Sequence, residues 1–73
     1  MIAAEKANAI AERLLHSNGI KESVRMVSNS LEDNRRDFLG FIDAGRTVDA
    51  RRAEEAMFRD KEVLRILRDW EEA

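Results

Sequence analysis

The chain has 73 residues, no cysteine, no proline and three glycines, with 13 basic against 15 acidic residues and a formal net charge of −2. That length suits one domain with a thin margin of stability, and the lack of cysteine excludes a disulfide or a thiolate metal site as its staple. No run approaches the ~18 apolar residues of a membrane span, and the N-terminus lacks a signal peptide's basic start and long apolar stretch. The expectation is a cytoplasmic protein, stabilised by a well-packed helical bundle or by a partner.

Apolar residues recur at helical spacing from one end to the other. Ala3, Ala7, Ile10 and Leu14 share one face of a first helix, expected over residues 2–16. The run Ser17-Asn18-Gly19 stops it, because asparagine and glycine take the left-handed conformation that ends helices. A second helix begins near Ile20 and carries Val24, Val27 and Leu31 on one stripe. Residues 33–37, Asp-Asn-Arg-Arg-Asp, read either as a polar turn with Asp33 as a cap or as the solvated turn of one helix over 20–44. The break is favoured, since the apolar rhythm skips from Leu31 to Phe38. The segment that follows, with Phe38, Leu39, Phe41 and Ile42, is apolar on more than one face, as in a helix sandwiched between neighbours.

Ala44-Gly45-Arg46-Thr47 is the clearest punctuation. Gly45 suits the position past a helix end, Thr47 an N-cap and Asp49 the first turn of a last helix over 48–71. In that helix Glu55 and Arg59 are spaced to pair, and Val63, Ile66, Leu67 and Trp70 continue the stripe. The expected fold is all-α, a single-domain bundle of three to four short helices over residues 1–73. Its buried residues are expected to be Leu14, Val24, Val27, Leu31, Phe38, Ile42, Val63 and Leu67.

Chemistry is sparse. Glu12 and His16 are spaced for a metal, but two ligands are too few and no second cluster completes the set. His16 beside Ser17 is no catalytic pair, because adjacent helical residues point apart. The acidic pairs Glu54-Glu55 and Glu71-Glu72 lack the water-poor cleft that acid–base work needs, and no glycine-rich phosphate loop is present. No enzyme activity, cofactor or metal is expected.

Helix, glycine turn and helix around Asn18-Gly19 suggest a helix-turn-helix, yet Arg25 stands where a recognition helix buries an apolar residue. Arg35, Arg36, Arg46, Arg51 and Arg52 could form a basic patch near the 45–47 turn. Asp37, Asp43, Asp49, Glu54 and Glu55 interleave with them, whereas a phosphate-tracking surface shows uncompensated charge. Asp43-Ala44-Gly45-Arg46-Thr47-Val48, followed by a helix with Ala53-Glu54-Glu55-Ala56-Met57, resembles the "AGRTV, then helix" phrase of some bacterial antitoxins. The N-terminal ribbon strand that many antitoxin dimers carry is missing, and no residue role carries over.

Two aromatics are hard to house. Phe58 lies off the stripe of Ala56, Val63 and Trp70, and Trp70, near the C-terminus, reads either as a clamp on the bundle or as an interface anchor. Candidate partner-binding residues are Arg46, Arg51, Arg52, Phe58, Arg59 and Trp70. The expected function is that of a non-enzymatic helical regulator which binds and inhibits or remodels a larger protein. Phage-type inhibitors of a host enzyme, such as the transcription machinery, and antitoxin-like proteins work in this way. The alternative is a dimeric nucleic-acid-binding transcription regulator. A second copy of the chain is a further candidate partner, and a membrane is not.

Overall fold

A computed structural model describes residues 4–73, which form three helices and no strand among the described residues. They are α1 (Ala4–Asn18), α2 (Ile20–Asp43) and α3 (Thr47–Glu72), within an envelope of 42 × 22 × 19 Å. Residue 2, the expected start of the first helix, lies outside the described residues.

Both turns depend on glycine. Gly19 joins α1 to α2 at φ 78° and Gly45 joins α2 to α3 at φ 72°, in the left-handed region that side chains with a Cβ avoid. At the second turn the Arg46 N–H donates to the Phe41 carbonyl (2.8 Å) and the Gly45 N–H to that of Ile42 (3.1 Å). These are the two bonds of a Schellman motif, which satisfies carbonyls that the last helical turn would otherwise leave free. The Arg46 guanidinium stands 5.4 Å from the centre of the Phe41 ring, where such motifs usually carry an apolar contact. Arg46 also pairs with Asp49 at 2.5 Å, tying the turn to the start of α3.

α2 and α3 make a long antiparallel hairpin, and α1 lies along one flank of it. Ala7 and Ala11 are fully buried there, against Val27 of α2 and Val63, Ile66 and Leu67 of α3. The small side chains let the α1 backbone come close, so a short helix closes the core with little bulk of its own. Ile10, Leu14, Ile20, Val24, Leu64 and Trp70 ring this cluster, half-buried. Ser23 is buried as well, and its hydroxyl donates to the Gly19 carbonyl at 2.6 Å.

Four expectations are corrected. First, α2 runs unbroken through residues 33–37, so there are three helices, two of them long, with 24 and 26 residues. Asn34, which occupies the skipped position in the apolar rhythm, faces α3 as a hydrogen-bond donor rather than opening a turn. Second, Val27, Val63 and Leu67 are buried and Leu14, Val24, Leu31 and Phe38 half-buried, but Ile42 is 54% exposed. The segment around it has one neighbouring helix, not two. Third, Arg46 is the N-cap of α3 and Thr47 its first residue, with no side-chain cap bond. Fourth, Glu55 and Arg59 form no ion pair among the described residues; Arg65 pairs instead with Glu62 and Asp69.

The backbone makes opposite predictions for two glycines. Gly40 is mid-helix, without positive φ, and a Cβ there would meet nothing within 4 Å. Gly40→Ala is expected to stabilise the fold by about 0.5–1 kcal/mol. Gly45→Ala, at φ 72°, is expected to destabilise it by about 1–2 kcal/mol. Leu67→Ala, in the centre of the core, is expected to cost about 2–5 kcal/mol. Urea unfolding followed by circular dichroism measures all three.

Candidate functional site

The inner seam of the hairpin is not wholly apolar. Asp60 of α3 is 8% exposed and accepts two hydrogen bonds from α2, one from the Ser30 hydroxyl (2.8 Å) and one from the Asn34 amide (2.9 Å), both at Oδ2. Asn34 lies seven residues from both Val27 and Phe41, and Asp60 lies seven from both Ala53 and Leu67. Each therefore takes a seam position that its neighbours one heptad away fill with an apolar group or alanine. The bonds set the alignment of the helices: Ser30 and Asn34 stand opposite Asp60, which places the stretch from Leu31 to Ile42 beside that from Ala50 to Lys61.

That alignment, together with the position of α1, leaves one flank of the hairpin bare. α1 occupies the flank marked by Met26 and Ser30 on α2 and by Val63, Ile66 and Trp70 on α3. At 100° per residue, Leu31, Arg35, Phe38, Leu39 and Ile42 fall on the other flank of α2, and Met57, Lys61, Leu64 and Arg68 on the other flank of α3. No described helix covers this side. Leu39 is 56% and Ile42 54% exposed, and Leu31, Phe38, Met57 and Leu64 are each half-buried. The result is an apolar strip along the α2–α3 seam, widest near the turn.

The residues singled out in the sequence do not converge. Arg46 is held at the turn by Phe41 and Asp49. Trp70 is half-buried against the core, 24 residues further along α3 and so roughly 36 Å away. Arg51 and Phe58 point away from α2; Phe58 is 61% exposed and carries the Lys61 ammonium 5.9 Å from its ring centre. Arg52 and Arg59 lie on the α1 side, Arg59 at the edge of a groove of about 190 Å³ walled by Ile10, Leu14, Met26 and Val63 and ending at Asp60. This volume is below the range of roughly 300–1,000 Å³ usual for small-molecule sites.

Sequence reasoning missed Ser30, Asn34 and Asp60, although the heptad spacing of the last two was a usable signal. It also placed Ile42 in the core. Leu39 and Ile42 were visible as apolar residues, but nothing local marks them as uncovered.

The electrostatics separate held charges from free ones. Arg25 hydrogen-bonds Glu22 through Nε at 3.0 Å and Arg65 bonds Glu62 through Nη2 at 2.7 Å, and each of these bonds holds its glutamate below the usual carboxylate range. Both pairs are in solvent, so they stabilise little. Arg36 reaches Asp33 at 3.4 Å. Lys6, Arg13, Lys21, Arg35, Arg51, Arg52, Arg59, Lys61 and Arg68 have no ion-pair partner among the described residues. No group of histidine and carboxylate side chains among the described residues is placed to hold a metal ion, and no described helix is long and apolar enough to cross a membrane.

Comparison with known proteins adds no identity: no family model, no curated protein and no solved structure matches the chain.

The polar seam makes a prediction about coupling. Asn34→Leu alone removes a donor from a buried carboxylate and is expected to cost about 1–3 kcal/mol. Combining it with Asp60→Leu removes both ends of the bond and is expected to return the stability close to wild type. A double-mutant cycle in urea checks this; additive losses would show that the two residues do not interact.

Proposed function

We propose that this chain is a non-enzymatic regulator that binds a larger protein through the bare flank of the α2–α3 hairpin. The observation that carries the reading is the neighbouring pair Leu39 and Ile42, each more than half exposed, on a strip continued by Leu31, Phe38 and Met57. Scattered apolar residues on a surface need no explanation; a contiguous strip along a helix pair marks a site where another surface docks. In a domain this small, burying such a strip adds a sizeable fraction to a thin core.

A chain of this kind acts by occluding or remodelling its partner. Phage-type inhibitors of host enzymes, including the transcription machinery, and antitoxin-like proteins supply the class of mechanism. The turn phrase from Asp43 to Val48 that resembles some antitoxins belongs here as a structural element: Gly45 and Arg46 build the Schellman turn that holds Ile42 and the start of α3 in place.

Leu39→Ser combined with Ile42→Ser tests the reading. Both side chains lie outside the core, so the fold is expected to keep its stability to within about 0.5 kcal/mol. A stoichiometric protein captured by wild type from a lysate of the source cells, and released by the double substitution, is the expected result. Equal capture by both forms would move the site elsewhere. A clean shift of duplex DNA by the purified wild type at near-physiological salt would favour the nucleic-acid-binding alternative, with Arg35, Arg36, Arg46, Arg51 and Arg52 as the residues to change first.

A further inference from the structure

Only one of the two Asp60 oxygens is used in the seam. The bonds from Ser30 and from Asn34 both end on Oδ2, and Oδ1 accepts none among the described residues. No polar side-chain atom there is both buried and unbonded, so Oδ1 keeps an opening although the residue is only 8% exposed. Asp60 lines the groove of about 190 Å³ between α1 and the hairpin. No lysine, arginine or histidine among the described residues lies within ion-pair distance of it. Buried charges in proteins are ordinarily paired as well as hydrogen-bonded; this carboxylate has neutral donors alone. The groove that leads to it is apolar, with Ile10 and Leu14 on α1, Met26 on α2 and Val63 on α3 as walls. The chain's own charges near it are at its rim. Arg59 is exposed and immediately precedes Asp60, and adjacent helical residues point about 100° apart. Lys6 and Arg13 are exposed on α1, each one position before a residue of its packed face, and Asp33 of α2 pairs with Arg36. Water screens all of these, but screens Asp60 much less.

We infer that this groove receives the side chain of one lysine from a partner protein, with its stem along the apolar walls and its ammonium on Oδ1 of Asp60. Apolar walls that end in a single carboxylate match a side chain that is apolar along its length and charged at its tip. The free acceptor is one oxygen, which suits a compact ammonium. A guanidinium fork engages both oxygens of a carboxylate, and Oδ2 here already holds two donors. The Ser30 hydroxyl, also on the groove wall, offers the ammonium a second acceptor. The volume is below that of usual small-molecule sites, as suits one side chain rather than a whole ligand. The site is on the α1 side of the hairpin, away from Leu39 and Ile42, so it does not depend on the reading of the bare flank.

Peptides that differ at one side chain test this. Capped pentapeptides with lysine, norleucine or arginine at the centre, between glycine and serine, are titrated through the millimolar range into the full chain. Methyl NMR shifts of Ile10, Leu14, Met26 and Val63 read the binding. The lysine peptide is expected to shift these methyls and to bind roughly tenfold more tightly than the other two. Its advantage over norleucine is expected to fall as salt rises. Asp60→Asn keeps the shape of the side chain and an oxygen for Ser30 and Asn34, and is expected to abolish the preference for lysine. Circular dichroism checks that this variant is folded; if it is not, the comparison of the three peptides on wild type decides. Equal binding of norleucine and lysine would mean an apolar groove without charge recognition and overturn the inference. Equal binding of arginine, or no binding by any peptide, would overturn it too. Arg59→Gln and Lys6→Gln test for a counter-ion within the chain. Each is expected to be additive with Asp60→Asn in urea unfolding; a coupling between either residue and Asp60 would make that residue the counter-ion and overturn the inference.

Discussion

A carboxylate shut between two helices tolerates few neighbours, and Asp60 has the ones it needs. Its two donors, Ser30 and Asn34, both come from α2 and converge on one oxygen. Sliding α3 by one heptad would set Asp60 opposite Ser23 and Val27, where the one hydroxyl already donates to the Gly19 carbonyl, or opposite Asp37 and Phe41, where there is no donor, at a desolvation cost of ~2 kcal/mol or more. An all-apolar seam of alanine, valine and leucine would resist such a slip far less, because hydrophobic contact is not directional. The polar triad is therefore what gives a long, smooth hairpin a single alignment, and the placement of every other side chain on the two helices follows from it.

The second constraint is length. α1 has 15 residues, so at 1.5 Å per residue it spans roughly 22 Å, against roughly 36 Å for α2. A helix of that length covers only part of a hairpin and only one of its flanks. Its buried face is built on Ala7 and Ala11, which allow close approach and add little volume. The core consequently lies where three helices meet, around Val27, Val63 and Leu67, and thins toward the Gly45 turn, where only two helices are present. The aromatic side chains of Phe38 and Phe41 are only half-buried for that reason, and the Arg46 guanidinium over Phe41 covers part of what a third helix would.

Charge does not follow the same division. The pairs that close on themselves, Glu22 with Arg25 and Glu62 with Arg65, run along single helices on outward faces and say little about partners. The basic residues without an ion pair among the described residues are spread over all three helices, Lys6 and Arg13 on α1, Lys21 and Arg35 on α2, and Arg51, Arg52, Arg59, Lys61 and Arg68 on α3.

What the sequence determined by itself was the element list and its punctuation. Helical periodicity, the absence of proline and the glycines at 19 and 45 lead to the helices and turns because these are local properties of φ and ψ and of side chains a few residues apart. Val27, Val63 and Leu67 were legible as core for the same reason: they sit mid-stripe, and any partner helix would cover them. The continuity of α2 was misread because an inner-face asparagine looks like a turn residue until its acceptor on another helix is known. Asp60 was hidden likewise, since a carboxylate in a stripe reads as a solvated interruption unless donors stand opposite. Ile42 had the right spacing for burial and lacked only a third helix to bury it. Whether a stripe is covered depends on the lengths and crossing positions of helices distant in the chain, so only the tertiary structure could divide one apolar pattern into a core and a bare flank.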